Sequence, residues 1–290
     1  MTGNAADADD LAQETFVRAW KHPPERTDEP WRPWLARVAM NLSRDLLRRR
    51  KRRHYEGPWL PSPIETGDEA TPPSYEPVDD QGNPAARYDM LESVSFAFLL
   101  ALEALTPAQR AALLLRDVFD YSVKETAEAL GLSEPSVKTT HHRARRAMRD
   151  YDRERRLPTR SLQEQTRRAM ERFLNCLFNR DVAGAEALLA ADVRHLGDGG
   201  GEFIAARAPV VGKQKVALFN LRLAGLASQN MRASWRMLNG LPAFVVELAE
   251  PPEKYAPRIV TTCELDAAGN IKRIFNVLAT RKLTAVRRLA

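Results

Sequence analysis

The residues with the clearest chemistry form a concentrated basic segment near the middle of this 290-residue chain. Cationic side chains at such density bind nucleic-acid phosphates, with an affinity that falls as salt rises. The apolar residues Val137, Ala144 and Met148 lie among them at helical spacing, which predicts a helix with one buried and one basic face. Such a helix can lie in a DNA major groove, with its first residues at base edges and its flanks on phosphates. The cationic residues are Lys138, Arg143, Arg145, Arg146 and Arg149.

A tight turn precedes this basic helix and links it to a shorter one. Gly131 can adopt the left-handed conformation that ends a helix, and Ser133 can cap the next helix. Pro135 is tolerated in a first helical turn. Ala127, Gly131 and Val137 stand where a helix-turn-helix needs a small residue, a turn former and a core anchor. The segment therefore predicts a DNA-binding helix-turn-helix, and the alternative is a helical hairpin with a solvated basic face.

Composition sets the class of protein that surrounds this motif. The formal net charge is +6, with basic residues concentrated in 44–53 and 138–160 and acidic residues in 62–92. The two cysteines, Cys176 and Cys263, lie far apart, which argues for a reducing compartment and against a disulfide scaffold. No signal peptide, membrane-spanning run, zinc spacing or cofactor motif is evident. We expect a cytoplasmic protein of two to three domains without a bound cofactor.

The N-terminal region predicts two helices separated by a proline-containing loop. The first covers 7–20, and acidic residues favour its N-terminal half. The second runs from about 27–30 to 54 and ends in a run of arginines. Trp34 lies in register with the apolar stripe of the second helix and suits a core, whereas Trp31 fits a core or base stacking equally well. The stripe predicted to be buried on the first helix consists of Leu11, Phe16, Val17 and Trp20.

DADDLAQETFVRAW followed by WRPWLARVAMNLSRDLLRRRKRR resembles the sigma-2 domain of extracytoplasmic-function sigma factors. The resemblance implies that the acidic helix docks on the clamp helices of RNA polymerase, and that the following loop and helix open and read the −10 promoter element. The core-polymerase contacts carried over in this way are Asp10, Gln13, Glu14 and Phe16. The −10 contacts are Trp31, Trp34, Arg37, Asn41, Arg44 and Arg48.

The chain departs from this family at its first residues. In the family the acidic helix is preceded by about one further helix, whereas Met1-Thr2-Gly3-Asn4 begins inside that segment. Either the start codon is placed late or the sigma-2 domain lacks its first helix, and a bundle without that helix would expose apolar surface on Leu11, Phe16 and Trp20.

Residues 57–92 are rich in proline and acidic residues, which predicts a linker without a packed core. A linker of this length spans about 30 Å as a coil and over about 100 Å when extended. Two promoter sites roughly 17 base pairs apart are separated by about 58 Å, which an extended linker can bridge. Trp59, Leu60 and Pro61 form an isolated apolar cluster within it that suggests a docking point.

The region after the linker predicts a four-helix domain that ends in the basic helix. An apolar helix covers 91–105, and Thr106, Pro107 and Gln109 predict a capping box at the start of the next. The run from LTPAQRAALLL to HHRARRAMR resembles the sigma-4 domain, which binds the polymerase flap and the −35 element. By this resemblance the base-reading residues are Ser136, Thr139, His142 and Arg143. The phosphate contacts are Lys138, Arg145 and Arg146.

The last part of the chain, from about residue 161, predicts helices followed by an antiparallel sheet, an α+β cone. The predicted helices cover 162–179, 181–190 and 212–225. The predicted strands cover 231–238, 242–249, 258–265 and 271–280, with Asn239-Gly240 as a hairpin turn.

This order resembles the SnoaL-like domains of the nuclear-transport-factor-like superfamily. A group of extracytoplasmic-function sigma factors carries such a domain, with a WLP motif in the linker and a DGGG loop in the extension. A third motif of that group is only partly visible in Asn276-Val277 and Arg281-Lys282-Leu283. The implied regulatory contact joins the linker motif to the loop, and comprises Trp59, Leu60, Pro61, Asp198, Gly199, Gly200 and Gly201.

The sequence thus predicts a multidomain chain: a sigma-2-like all-α domain at 1–56, a linker at 57–92, a sigma-4-like all-α domain at 93–157 and a SnoaL-like domain at 158–290. The expected function is promoter recognition for RNA polymerase, modulated in cis by the last domain. The expected protein is a monomer when free, has no enzymatic activity and needs no membrane. The alternative is a ligand-responsive helix-turn-helix regulator with a cone-fold sensor.

Two observations keep other functions open for the last domain. Asp192, His195 and Asp198 could form an acid–base group, although their place at a helix end and glycine loop is explained by capping and turn formation. Trp235, Phe244 and Phe275 could line a small-ligand pocket, although aromatic residues at strand spacing usually form a core.

Overall fold

A computed structural model describes residues 1–24, 31–52, 55, 57–67, 93–225 and 231–289. The chain forms two compact units, described separately below. Unit 1 consists of Met1–His54 and Pro77–Arg155, and unit 2 of Tyr55–Glu76 and Arg156–Ala290. The predicted linker residues 68–92 lie outside the described residues.

Unit 1 opens with two helices, α1 (Ala5–Lys21) and α2 (Arg32–Arg52). The Asn4 side chain caps α1 by accepting a hydrogen bond from the Asp7 amide. The predicted buried stripe of α1 is wrong, because Thr15 and Ala19 are its buried residues. Small residues form this buried face, while Phe16, Val17 and Trp20 point to solvent, exposed by 65%, 40% and 85%.

The second part of unit 1 contains short helices that end in the predicted helix-turn-helix. They are α3 (Phe96–Ala101), a 3-10 turn (Leu102–Ala104), α4 (Pro107–Asp117), α5 (Val123–Leu130), α6 (Glu134–Ala147) and α7 (Arg149–Glu154). The predicted capping box is confirmed, because Thr106 and Gln109 exchange hydrogen bonds at the start of α4. Gly131 adopts the left-handed conformation, with φ +63°, and ends α5 as predicted.

Two apolar clusters hold unit 1 together. One joins α3, α4 and α6 through Phe98, Leu113 and the predicted anchors Ala144 and Met148. The other joins α2 to α4 and α5, with Met40 packed among residues such as Leu115 and Leu130. Helix α2 therefore packs directly against the helix-turn-helix.

Three helices of unit 2 follow the sequence prediction in order: α8 (Arg160–Phe178), α9 (Val182–Ala187) and α10 (Lys213–Gly225). The sheet has the order β2-β1-β6-β5-β4-β3, with β1 parallel to β6 and all other neighbours antiparallel. The strands are β1 (Leu189–Asp198), β2 (Val210–Val211), β3 (Met231–Leu238), β4 (Leu241–Leu248), β5 (Arg258–Leu265) and β6 (Ile271–Val277).

The core of unit 2 lies between this sheet and the helices. Met170 and Phe173 of α8 and Val216 of α10 pack against Val193 and Ile274 of the sheet. The turn at Asn239-Gly240 joins β3 and β4 in direct register, with positive φ at both residues, as a type I′ hairpin requires. Helices on one layer and a mixed sheet on the other confirm the α+β class.

Strand β1 corrects the prediction of a helix end at 181–190 followed directly by a loop. Leu189 and Val193 are fully buried and β1 pairs with β6 along most of its length. The sequence LAADVRHLGD lacks the alternation typical of a strand exposed on one face. The buried positions Val193, His195 and Gly197 do alternate with less buried ones, but histidine and glycine do not mark a buried face in the sequence.

The first part of the predicted linker packs against unit 2. Residues 57–67 follow the surface of unit 2, and Leu60, Pro61 and Pro63 are buried there. Glu65 forms an isolated bridge with Leu238 at the end of β3. Proline prevents this segment from forming a core of its own, but extended backbone can still bind to a sheet that already exists.

Among the described residues, none of the helices combines the length and apolar character of a membrane span. The described residues also contain no cluster of histidine, cysteine and acidic side chains that could hold a metal ion.

Candidate nucleic-acid interface and linker-binding site

Helix α6 presents one buried and one exposed face, as its sequence predicts. Val137 and Ala144 are fully buried, and the Ser133 side chain caps the helix by accepting from the Ser136 amide. A helix held on its apolar side presents every predicted DNA contact outward. The exposed residues of this set are Ser136, Lys138, Thr139, His142, Arg143, Arg145 and Arg146.

Asp117 anchors α6 to α4 from inside unit 1. Its carboxylate is 1% exposed and accepts hydrogen bonds from Arg145, at 3.0 Å and 2.5 Å. His141 Nε2 lies 2.9 Å from the same carboxylate. Burial tends to raise the pKa of Asp117, but hydrogen bonds from His141 and Arg145 outweigh it and lower that pKa. Arg145 therefore has an intramolecular partner in addition to its predicted phosphate contact.

The predicted −10 residues on α2 lie partly at the contact between α2 and α5. Arg37 Nε donates to the Glu128 carbonyl at 3.0 Å, and Arg44 donates to the Leu130 carbonyl at 3.4 Å. Both carbonyls belong to the last turn of α5, where unsatisfied C=O groups favour a cation. Trp31 directly precedes α2 and is half-buried, as is Trp34 within the helix, whereas Asn41 and Arg48 are exposed.

A second polar contact joins α2 to the other part of unit 1. Glu103 accepts from Arg50 of α2 at 2.7 Å, and Arg110 of α4 lies 2.7 Å from the other Glu103 oxygen. Arg110 is almost fully buried, whereas the Arg50 and Glu103 side chains are 21% and 24% exposed. The contact between α2 and the helix-turn-helix part thus combines apolar packing with charge-assisted hydrogen bonds.

The predicted polymerase contacts lie on the solvent-facing side of α1. Asp10, Gln13 and Glu14 are exposed, and Phe16 is 65% exposed. Trp20 extends the same surface with 85% of its area accessible. An exposed cluster of large apolar residues beside acidic ones is typical of a protein-binding surface.

In unit 2, the linker motif and the glycine loop meet at Asp198. The Asp198 carboxylate accepts a hydrogen bond from the Leu60 amide at 2.7 Å and one from the Tyr55 hydroxyl. Lys282 Nζ lies 2.5 Å from the same carboxylate and also donates to the Leu60 carbonyl. Its ammonium stands 3.9 Å from the centre of the Trp59 ring, a cation–π distance.

The glycine loop explains why these groups converge. A side chain at Gly199 would place Cβ 2.3 Å from the Phe203 carbonyl, and one at Gly200 would meet Ala279 at 2.7 Å. The Asp198 carbonyl accepts from the Leu278 and Ala279 amides, which directs the following 3-10 turn (Thr280–Lys282) toward the carboxylate. The loop therefore allows the C-terminal segment to approach closely enough to deliver Lys282.

Two further contacts secure the linker segment beyond the WLP motif. Ile64 donates to the Asn239 side chain at 3.1 Å, and its carbonyl accepts from the Asn239 amide at 2.8 Å. Glu65 is 2% exposed and pairs with Arg287 at 2.6 Å and Arg236 at 3.7 Å. The segment is therefore held at several successive points.

The suggested acid–base group of Asp192, His195 and Asp198 does not assemble. On strand β1, residues three apart lie on opposite faces, so His195 and Asp198 point in different directions. Asp192 is exposed, while Asp198 is engaged by the linker. Of the aromatic residues proposed for a pocket, Phe244 lines a cavity in unit 2, and Phe275 is fully buried.

Several residues of these sites were missed from the sequence. Lys282 belonged to the motif that was only partly visible, and a lone lysine far from Asp198 in sequence gives no sign of its partner. Glu65 lies in the stretch predicted to be a linker, and Tyr55 lies at the end of the predicted sigma-2-like domain. Asp117 was missed because an acidic residue at a helix end usually faces solvent.

Family comparisons agree with this architecture. The model described as "Sigma-70 region 2" matches residues 1–53, and that described as "Sigma-70, region 4" matches residues 95–148. These two regions, with the exposed basic face of α6 in the second, define a sigma-70-type transcription initiation factor.

Relatives that extend over the whole chain make the class more specific. The extracytoplasmic-function (ECF) RNA polymerase sigma factor SigJ of Mycobacterium tuberculosis is 31% identical over 294 residues, which covers 98% of this chain and 88% of the relative. Its crystal structure superimposes with a TM-score of 0.70 at 27% identity, over 98% of this chain and 92% of that one. SigG from the same organism is 38% identical over 50% of this chain and 42% of its own length. The chain belongs to the ECF RNA polymerase sigma factors.

Proposed function

We propose that the chain brings the RNA polymerase core to promoters with −10 and −35 elements. We further propose that unit 2 restrains this activity by binding the first part of the linker. In this proposal residues 1–56 and 93–157 read the promoter, 57–92 connects them and 158–290 regulates them. The protein acts in the cytoplasm and catalyses no reaction of its own. The burial of Leu60 against Asp198 and Lys282 is the observation that carries the regulatory part.

The polymerase contact is proposed for the exposed side of α1 around Phe16 and Trp20. These side chains leave a large apolar area in water on a single helix, which favours burial by a partner. The clamp helices of the polymerase core are the proposed partner of this surface. The flap is the proposed partner of the helix-turn-helix part.

Promoter binding requires unit 1 to open. Two elements roughly 17 base pairs apart are separated by about 58 Å, whereas α2 contacts α5 directly through Arg37 and Arg44. Both arginines are predicted to contact −10 DNA. The same guanidinium groups therefore bind α5 in the free protein and would bind the promoter in the initiation complex. Polymerase and DNA must replace these intramolecular contacts with their own.

Unit 2 holds the chain just after α2 ends. Helix α2 ends at Arg52, and Tyr55 and Leu60 follow it within a few residues. Both are hydrogen-bonded to Asp198 of unit 2. An intramolecular partner acts at high effective concentration, so a modest interface is enough to keep the linker bound. Release of this segment lengthens the free connection between the two promoter-reading parts.

Transcription from a defined promoter with full-length variants tests this proposal. Asp198→Asn and Lys282→Met both remove the charge pair that holds Leu60, and each is expected to raise run-off output at least about threefold. Asp150→Asn, at an exposed position of α7, is the matched control and should leave output unchanged. Unchanged output in Asp198→Asn and Lys282→Met would contradict regulation by this contact, and lower output would show that the contact supports activity.

A further inference from the structure

A cavity of about 360 Å³ lies within unit 2, between the sheet and helices α8 and α10. Phe173 and Phe219 line its helical side, and Phe244 and Ile274 line its sheet side. Ile204 and Phe178 also border it and are 54% and 51% exposed, which marks the opening to solvent. Every charged residue type is missing from the described lining. The cavity therefore suits a neutral and mainly apolar molecule.

Two buried polar atoms in the lining have no hydrogen-bond partner among the described residues. They are Nδ1 of His195 on β1 and Oδ1 of Asn276 on β6. His195 is 1% exposed and Asn276 is 8% exposed, so bulk water cannot supply the missing hydrogen bond to either atom. Unsatisfied buried polar atoms destabilise the protein, and a ligand that pairs with them removes this cost.

The protonation of His195 determines which ligand group fits. Burial lowers the pKa of His195 to about 4, despite a side-chain hydrogen bond with Asn220, so the ring is neutral near pH 7. The Asn220 amide nitrogen donates one of its two hydrogens to the Val216 carbonyl. The hydrogen bond with Asn220 raises the pKa of His195, as expected where the ring donates to the Asn220 oxygen. The ring nitrogen that bonds Asn220 carries the proton, and Nδ1 is therefore an acceptor. Asn276 Oδ1 is an acceptor as well.

The two acceptors lie on neighbouring parallel strands. Gly197 of β1 is in register with Asn276 of β6, and His195 is in register with Ile274. His195 and Asn276 thus border the same part of the lining, near the end of β1 that leads to Asp198. A hydroxyl or amide N–H placed between them can share its hydrogen with both acceptors in a three-centre hydrogen bond.

We propose that this cavity binds a neutral, mainly apolar small molecule that carries a hydroxyl or N–H donor, which it directs to His195 Nδ1 and Asn276 Oδ1. At the packing density of protein interiors, about 0.74, the cavity takes a molecule of roughly 15–20 non-hydrogen atoms. Carboxylates and phosphates are excluded, because the described lining offers them no cation and both polar atoms are acceptors. This site is separate from the sigma-factor activity, so its failure would leave the proposed function intact.

Fluorescence titration of the full-length protein with a matched set of pyrenes tests the proposal. The set is 1-hydroxypyrene, which carries a donor, pyrene, which carries none, and 1-pyrenecarboxylate, which is anionic. We expect saturable one-to-one binding of 1-hydroxypyrene, about tenfold weaker binding of pyrene, and no saturable binding of the carboxylate.

Variants of the lining identify the site. His195→Leu and Asn276→Leu should each remove the preference for 1-hydroxypyrene over pyrene, while His22→Leu, at an exposed position of unit 1, should keep it. Ala224→Trp fills the cavity and should abolish binding of both neutral probes. Circular dichroism establishes that each variant is folded.

The outcomes separate cleanly. Loss of the hydroxyl preference in the His195 and Asn276 variants supports the proposal even if Ala224→Trp fails to fold. Equal affinity for 1-hydroxypyrene and pyrene in the unmodified protein would overturn the donor requirement. Binding of the carboxylate as tightly as 1-hydroxypyrene would overturn the exclusion of anions, and absence of saturable binding by either neutral probe would overturn the site.

Discussion

The ammonium of Lys282 lies 2.5 Å from the carboxylate of Asp198, and the two side chains are 4% and 0% exposed. Each is the main charge partner of the other in a shielded site, and both also bind the backbone of Leu60. Burying two charges costs several kcal/mol per ion. This cost is offset only while the ion pair and the hydrogen bonds to Leu60 are all present. The linker contact therefore depends on all three groups together.

Removal of Lys282 alone should destabilise unit 2 strongly. Lys282→Met leaves the Asp198 carboxylate buried without its cation, and we expect a loss of about 3–5 kcal/mol in the free energy of unfolding. In the double variant Asp198→Leu/Lys282→Met the loss should be smaller than the sum of the two single losses by at least about 1.5 kcal/mol. Urea denaturation followed by circular dichroism measures these values, and additive losses would contradict the coupling.

Asn239 should hold the linker through its side chain as well as forming the hairpin turn. Asn239→Gly retains a residue that tolerates φ +53° but removes the acceptor of the Ile64 amide. We expect hydrogen exchange at Ile64 to accelerate about tenfold or more in this variant. Asn239→Asp keeps the acceptor and the turn, so it serves as the control and should exchange like the unmodified protein. Equal exchange in all three proteins would show that the side-chain contact is unimportant.

Arg145 and its neighbour Arg146 should differ in what they support. Arg145→Met removes two hydrogen bonds from buried Asp117, and we expect it to lower the free energy of unfolding by about 1–3 kcal/mol. Arg146→Met should leave stability unchanged, because the side chain is exposed, but should weaken promoter binding by the holoenzyme and reduce its salt dependence. Denaturation and salt titration of promoter binding separate the two effects. Equal stability of both variants would contradict the structural role of Arg145.

Unit 1 should lose stability in acid through Asp117. The folded-state pKa of Asp117 lies below its ordinary value of about 3.9, so the unfolded chain binds the proton more readily. This contribution is complete above the unfolded pKa and is lost as pH falls below about 4 toward the folded pKa. Asp117→Asn should remove that part of the pH dependence, which denaturation between about pH 3 and 7 measures. An unchanged acid slope in the variant would contradict this assignment.

The sequence allowed prediction of elements that depend on local signals. The Thr106 capping box, the Gly131 helix end and the Asn239-Gly240 hairpin each rest on a few adjacent residues, and all three are confirmed. Strand β1 was not predicted because its neighbours in the sheet, rather than its own pattern, stabilise it.

Only part of the binding site for the linker could be predicted from the sequence. Asp198 and the WLP motif were predicted to meet through family resemblance, and the structure brings Leu60 and Asp198 into contact. Lys282 is separated from Asp198 by most of the sheet in sequence, so only the fold could pair them. On α1 the apolar stripe was predicted from helical spacing, but the prediction that it is buried was wrong. Helical spacing shows which residues share a face and does not show whether another part of the chain packs against that face.

Opening of unit 1 should be required for transcription, which a reversible crosslink can test. Ala36 of α2 and Leu132 after α5 both pack beside the cluster around Met40, so cysteines at these positions can be joined by a short, disulfide-containing bismaleimide. Cys176→Ser removes the more accessible native thiol, and burial keeps Cys263 shielded and raises its pKa. Because the crosslink holds α2 on α5, it should lower promoter-specific transcription at least about tenfold. Reduction of the disulfide in the reagent should restore transcription.

The control for this experiment places cysteines at Ser161 and Gln165, one turn apart on α8, where the same reagent bridges no contact between helices. This crosslinked protein should transcribe like the untreated one. Full activity with the α2–α5 crosslink in place would show that α2 and the helix-turn-helix read the promoter without separating. Loss of activity that reduction does not restore would instead indicate damage by the reagent, and comparison with the α8 control distinguishes that case from closure. A reversible loss confined to the α2–α5 crosslink establishes that Arg37 and Arg44 must leave the last turn of α5 before they can serve the −10 element.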